Sequence, residues 1–82
     1  MQPIHYHVEA VWDREAGVWV ATSDDVPGLA TEAETIEALT EKLRGMIPEL
    51  LAANGLLATD FESKAISFDL TSHRRELVTP LS

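Results

Sequence analysis

The order of local signals in residues 19–39 constrains the fold more than any other part of the sequence. Residues 19–23 alternate in polarity with a period of two, which is typical of a half-buried strand. Pro27 and Gly28 predict a tight turn, because proline fixes φ at the first central position and glycine tolerates a positive φ at the next. Thr35 then predicts a helix N-cap, since its hydroxyl accepts a hydrogen bond from an otherwise unpaired amide. We therefore expect a strand, a turn, a short strand and a helix in immediate succession.

The rest of the chain extends this pattern to four strands and one helix. The predicted strands are residues 4–12, 18–23, 29–34 and 65–71. Trp12 and Trp19 flank the loop between the first two strands, where we expect them to pair and set the register. The helix is predicted from an apolar stripe at helical spacing, formed by Ile36, Leu39, Leu43, Met46, Ile47, Leu50 and Leu51. Pro48 predicts a kink or a fresh first turn in this helix, and Asn54-Gly55 predicts its end.

The expected fold class is α+β with two layers, in which one amphipathic helix covers one face of a β-β-β-α-β sheet. We expect residues 1–73 to form a single domain and residues 74–82 to form a C-terminal tail. The second face of the sheet would carry His5, His7, Glu9, Val11, Val18 and Val20. Because no further amphipathic segment is predicted, we expect this face to meet a partner chain or a second copy.

Composition narrows the classes of protein that the chain can belong to. Its 82 residues suffice for one domain, which buries only ~60% of the surface of the unfolded chain, so a homodimer is expected. The net charge of −8 disfavours direct binding to nucleic acid and favours a basic protein partner. The absence of cysteine fits a cytoplasmic location. Neither a membrane-spanning segment nor a signal peptide is predicted.

The motif Trp-Val-Ala-x-Ser-Asp-Asp-Val-Pro-Gly-Leu at residues 19–29, followed by Thr-x-Glu and a leucine-rich helix, resembles HicB-like antitoxin domains. The likeness covers about residues 4–71 and is nearest to a short, standalone branch described only as a domain of unknown function. The chain departs from that pattern at Ala33, where glycine is frequent, and at Ala38 and Leu39. The resemblance implies a partial ribonuclease-H-like fold that lacks the catalytic residues of the nuclease.

The same resemblance implies a function without catalysis. HicB proteins bind and mask HicA, a small basic toxin that cleaves messenger RNA. Many also carry a C-terminal DNA-binding module, which we do not expect here. An adjacent gene for a basic protein would favour this antitoxin reading. Two alternatives remain open, namely an acidic inhibitor that mimics nucleic acid, and an uncharacterised dimer without a toxin partner.

Two groups of residues raise the question of metal binding or catalysis. His5 and His7 share one strand face at a spacing that metal sites use, but the remaining histidine, His73, would lie several residues beyond His7 if Phe68 stood level with Val8. Aspartates 13, 24 and 25 are the acids that a two-metal nuclease would need. Aspartate is also common in turns, where its carboxylate caps nearby amides. We therefore expect no catalytic residue, no metal and no cofactor.

Five residues are the candidates for binding a partner. Exposed acids would attract a basic protein, and tryptophan is enriched where interfaces are tightest. The alternative for the acids is a solvated surface, and for the tryptophan it is packing within the hairpin. The candidates are Trp19, Asp24, Asp25, Glu37 and Glu41.

Overall fold

A computed structural model describes residues 5–56 and 66–81 of the chain. Its elements are β1 (His5–Asp13), β2 (Val18–Thr22), β3 (Ala30–Ala33), α1 (Ile36–Ala53) and β4 (Ser67–His73). The predicted α+β class and β-β-β-α-β order are confirmed. The predicted strand starts at Ile4 and Ala65 lie outside the described residues. No helix in the described ranges is long and apolar enough to span a membrane.

The sheet places β1 in its interior and has the strand order β3-β2-β1-β4. β2 is antiparallel to β1, and the pairing of Trp12 with Trp19 confirms the predicted hairpin register. β4 is parallel to β1, and its register differs from the one supposed above in placing His73. Phe68 stands opposite Tyr6 rather than Val8, a shift of one pleat repeat that keeps the same face inward.

The core lies between α1 and one face of the sheet. Every third or fourth helix residue is buried, and alternate residues of β1 and β2 meet them, as the helical and strand periods require. The fully buried large side chains are Val8, Val26, Leu39, Leu43, Ile47 and Leu51. Ala10 and Ala21 stand opposite each other beneath the helix and are also fully buried. Their small size permits close packing of helix on sheet.

The second sheet face has no helix against it in the described part of the chain, and we call it the open face. Alternation along each strand places on it side chains that are mostly polar, with a few valines. Val11 is 53% exposed on this face. Its members are His5, His7, Glu9, Val11, Asp13, Val18, Val20, Thr22, Ala30, Glu32, Ser67, Asp69, Thr71 and His73.

Both ends of α1 are capped as the sequence predicted. The Thr35 hydroxyl accepts a hydrogen bond from the Ala38 amide at 3.0 Å. At the other end, Gly55 adopts φ 69° while its amide donates to the Ala52 carbonyl and the Leu56 amide donates to the Leu51 carbonyl. This pair of bonds is a Schellman motif, which satisfies the last helical carbonyls.

Pro48 lies inside α1 and does not end it, because the helix continues to Ala53 as one element. The proline removes one helical hydrogen bond, and burial of Ile47 and Leu51 on either side keeps the segment against the sheet. Tertiary packing therefore outweighs the local signal at this position.

The turn between β2 and β3 is anchored by apolar residues on both sides. The Leu29 amide donates to the Val26 carbonyl at 3.2 Å, and Gly28 has φ 83°, which is the geometry of a type II turn with proline at its first central position. Val26 is fully buried and Leu29 is 5% exposed. The turn therefore depends on a positive φ at residue 28, a conformation that glycine adopts easily and that residues with a Cβ disfavour.

We predict that Gly28→Ala destabilises the protein by about 1–2 kcal/mol, since the left-handed conformation becomes strained for alanine. The matched control is Gly45→Ala on the exposed side of α1, where a Cβ would meet nothing within 4 Å. That change is expected to stabilise the helix by about 0.5–1 kcal/mol. Urea unfolding of the two variants measures both values. Equal stability of Gly28→Ala and the parent chain would contradict the turn assignment.

Candidate interaction surfaces

The five predicted partner-binding residues lie at two separate places on the fold. Asp24 and Asp25 follow the end of β2, whereas Trp19 lies near its start. Trp19 pairs with Ala33, so it lies at the end of the sheet where α1 begins. Glu37 occupies the first turn of that helix. At ~3.3 Å per residue, β2 separates the two groups by roughly 15 Å.

Ser23 and Asp25 extend the pairing of β2 with β1 through their side chains. The backbone register of the two strands ends at Glu9 and Thr22. Beyond that point the Asp25 carboxylate accepts a hydrogen bond from the His7 amide at 2.8 Å, and the Ser23 hydroxyl donates to the His7 carbonyl. The two side chains thus bond the backbone groups that a longer β2 would have bonded.

The neighbouring aspartates therefore differ in their surroundings. The Ser23 hydroxyl also accepts hydrogen bonds from the amides of Asp25 and Val26, at 3.0 and 3.2 Å, which holds the turn in place. Asp24 is exposed beside this network. The two aspartates line a polar cleft of about 300 Å³ together with His7, Glu9, Thr22 and Ser23.

The histidine pair considered in the sequence is divided by its contacts. His5 Nε2 lies 2.6 Å from Asp69 Oδ2, and its Nδ1 lies 2.7 Å from Ser67 Oγ. Both ring nitrogens of His5 therefore contact the neighbouring strand, while His7 is held through its backbone. Within residues 5–56 and 66–81, no three His, Asp or Glu side chains are grouped as a metal site would need. The sequence analysis did not identify Asp69 as a partner of His5. The only indication in the sequence was the alternation of β4, which places Asp69 on the face opposite to Phe68.

Trp19 forms part of an aromatic and cationic stack at the far end of the sheet. Its ring meets that of Trp12 edge-on, with centroids 5.3 Å apart and planes at 60°. The Arg74 guanidinium lies over the Trp12 ring at 4.3 Å from the centroid, a cation–π contact. Arg74 Nε also donates to the Glu76 carboxylate. The sequence indicated the tryptophan pair but not Arg74. No local pattern predicts the register of β4 against β1, and that register brings Arg74 next to Trp12.

The acids of α1 lie on its solvent side. Glu37 and Glu41 are exposed, one turn apart. The Glu41 carboxylate accepts a hydrogen bond from Arg44 at 3.3 Å, an exposed contact of little net stability. Lys42 donates instead to the Glu32 carbonyl at 2.6 Å and so ties the helix to β3. Glu37 also favours the helix start, where its charge complements the dipole.

These features define a small α+β domain with its charged groups at the surface. Among the residues that the structure describes, no polar or charged side chain is buried. The chain belongs to the family described as a domain of unknown function, DUF1902, whose model matches residues 5–79.

The chain is also similar to a solved structure. The crystal structure of a hypothetical protein from the extremely thermophilic bacterium Thermus thermophilus aligns with a TM-score of 0.67 and 47% sequence identity. The alignment covers 92% of this chain and 97% of that one. No curated protein matches the sequence.

We predict that Asp25→Ala lowers the free energy of unfolding by about 1–2 kcal/mol, because the His7 amide loses a charge-assisted hydrogen bond at the end of the ladder. Asp24→Ala, one position earlier and exposed, is the matched control and should change stability by less than about 0.5 kcal/mol. Urea unfolding monitored by tryptophan fluorescence compares them. Equal effects of the two substitutions would contradict the structural role of Asp25.

The Arg74 contact generates a prediction about ionisation. A hydrogen bond from Arg74, and then its positive charge, hold the pKa of Glu76 below its usual value, with a smaller contribution from the charge of Arg14. We expect Arg74→Gln to raise this pKa, because both effects of Arg74 are lost. The contact favours ionised Glu76. Its contribution to stability is therefore fully present above the ordinary pKa of glutamate and is lost as the pH falls through the lowered pKa of Glu76.

An NMR pH titration of the Glu76 side chain measures this change. Arg75→Gln is the control, since Arg75 makes no such contact with Glu76 in the described residues, and the pKa of Glu76 should remain lowered. A pKa of Glu76 that is the same in Arg74→Gln as in the parent chain would show that the Arg74 contact is not formed in solution.

Proposed function

We propose that the protein is a non-enzymatic, HicB-like antitoxin-type domain that binds a small basic protein of the HicA kind. It would inhibit its partner by covering the surface that binds and cleaves RNA. The observation that carries the proposal is the exposed acidic surface of a chain with net charge −8. On this surface Asp24, Glu37 and Glu41 project into solvent.

The distribution of charge supports recognition by a surface rather than by a desolvated pocket. Catalytic acids and bases are commonly shifted by burial, whereas the charged side chains of the described residues all retain contact with solvent. Exposed charges of one sign instead accelerate and orient the approach of an oppositely charged partner. This arrangement suits a protein that binds a basic partner and covers its active surface.

The spacing of the acids supports a broad contact. Glu37 lies in the first turn of α1, and the far end of the helix is tied to the β2–β3 turn by Asn54, whose side-chain amide contacts the Pro27 carbonyl at 3.4 Å. The helix acids and Asp24 therefore lie at opposite ends of β2, roughly 15 Å apart along the strand. Both groups fall within the dimensions of a standard protein–protein interface.

The resemblance at residues 19–29 and the capped helix start supplies the class of partner. The basic character of HicA toxins is complementary to the acids described above. Trp19 is half-buried and packs on Trp12, so it would support the shape of the partner-binding side more than provide a projecting contact.

The test uses any small basic protein that is found to be encoded beside the gene. Purified chain is expected to form a stoichiometric complex with it and to stop its cleavage of RNA. Absence of such a neighbour in every genome that carries the gene, or failure of the complex to form, would refute the proposal. Inhibition of an unrelated nucleic-acid-binding enzyme with no toxin binding would indicate the nucleic-acid mimic instead.

We predict that the triple variant Asp24→Asn/Glu37→Gln/Glu41→Gln weakens this complex by ~10-fold or more, mainly at low salt, since exposed charges act over about a Debye length. Asp25 is left unchanged because it supports the fold. The control is Glu15→Gln in the β1–β2 loop, an exposed acid outside the proposed surface. Titration calorimetry at two salt concentrations measures the effect, and identical affinities for variant and parent would place the binding surface elsewhere.

A further inference from the structure

We propose that the end of the described chain is a docking arm for a second copy of the same protein. The C-terminal arm comprises residues 74–81, which follow β4 without regular secondary structure. In the proposed dimer, the arm of each copy lies on the open face of the other. This proposal concerns the arm and the valines of the open face, which the proposed function does not use, and either proposal can fail without the other.

The arm projects away from the body of the protein. The molecule measures 63 × 25 × 19 Å, whereas a nine-residue strand such as β1 spans only ~30 Å. An extended segment of eight residues adds ~26 Å, so the long dimension fits an arm that continues outward from the sheet, and the exposure of Leu77, Val78 and Leu81 agrees with this. The arm therefore does not lie on its own open face.

The outer part of the arm is apolar and in water. Leu77, Val78 and Leu81 are 74%, 86% and 101% exposed. Burial of each such side chain is favourable, and three of them within five residues of an exposed segment indicate a surface made to be covered. The family match continues to residue 79, so Leu77 and Val78 belong to the matched extent of the domain rather than to an appended tail.

The open face offers a complementary apolar strip. Val11 pairs with Val20 across β1 and β2, and Val18 follows one pleat further along β2 on the same face. Val11 is 53% exposed, and both other valines are only half-buried. An extended chain crossing this strip can place alternate side chains against the valines, as strands do when they pack on a sheet.

Charge complements the apolar match. Beside the valines the open face carries Glu9, Asp13 and Glu32, and no Lys or Arg occupies any of its described positions. The base of the arm carries Arg74 and Arg75. Arg74 is already placed over Trp12, which anchors the arm in its own subunit, so Arg75 is the cation that can meet an acid of the other subunit.

A second copy fits this pair of surfaces better than an unrelated protein does. Each copy holds one arm and one open face, so a two-fold axis can satisfy both at once in a closed dimer. The exchange also covers apolar surface that a single small domain cannot cover by itself. A dimer of this kind leaves α1 and Asp24 accessible.

The first test is the mass of the intact chain in solution. The monomer has a mass of 9.0 kDa, and sedimentation equilibrium is expected to give twice that value. Val78→Asp should weaken the dimer at least ~10-fold, because a charge replaces a buried valine. Ala38→Asp, which adds the same charge on the exposed side of α1, should leave the dimer intact. Since Val78 is almost fully exposed within its own subunit, circular dichroism of the variant should match that of the parent.

The second test locates the contact between the arm and the open face by disulfide cross-linking. The chain has no native cysteine, so only the introduced cysteines can react. Copies carrying Val78→Cys are mixed with copies carrying Val11→Cys and oxidised, and the mixed disulfide dimer is expected to form in high yield. Val78→Cys mixed with Ala52→Cys, an exposed helix position, is the control and should cross-link poorly. A monomeric parent chain, a dimer that Val78→Asp does not weaken, or equal cross-linking to Val11→Cys and Ala52→Cys would overturn the proposal.

Discussion

The apolar contact between α1 and the inner face of the sheet is the interaction on which the rest of the structure depends. Leu39, Leu43, Ile47 and Leu51 form one side of the helix and are buried almost completely. Full burial of such a side chain is worth roughly 1.5–3 kcal/mol, whereas the exposed ion pairs contribute far less. One helix can cover only one face of a sheet, so this contact also leaves the other face open. The division between a covered and an open face follows from having one helix in the part of the chain that the structure describes.

The turn between β2 and β3 connects this core to the rest of the surface. Val26 is buried in the core, the Asp25 carboxylate bonds the backbone of β1, and the Pro27 carbonyl receives the side-chain amide of Asn54. The motif that is most recognisable in the sequence is therefore a junction of strand, turn and helix end. Of its two acids, Asp24 is available to a partner, while Asp25 already has a structural contact. The two neighbouring acids of one motif thus differ, since Asp25 bonds the backbone of β1 while Asp24 is exposed.

Periodicity and capping signals predicted the order of elements, the tryptophan pair and both ends of the helix, because each depends on residues near one another in sequence. Pro48 suggested a kink or a fresh first turn, and the helix continues through it as one element, since the flanking residues Ile47 and Leu51 are packed on the sheet. The register of β4, in which Phe68 stands opposite Tyr6, was not fixed by the sequence, because the long connection before the strand sets no pairing. The contacts of His5 with Asp69 and of Arg74 with Trp12 were missed for the same reason.

The sequence by itself determined the fold class, the single helix, the acidic surface and the five candidate residues, since these follow from local pattern and composition. Only the tertiary structure decided which of those residues are held by the fold, and that they lie in two groups at opposite ends of β2. It also decided that the apolar residues after β4 project from the sheet. The physical reason is that strand register and side-chain proximity are set by contacts between distant segments, which leave no periodic trace in the chain.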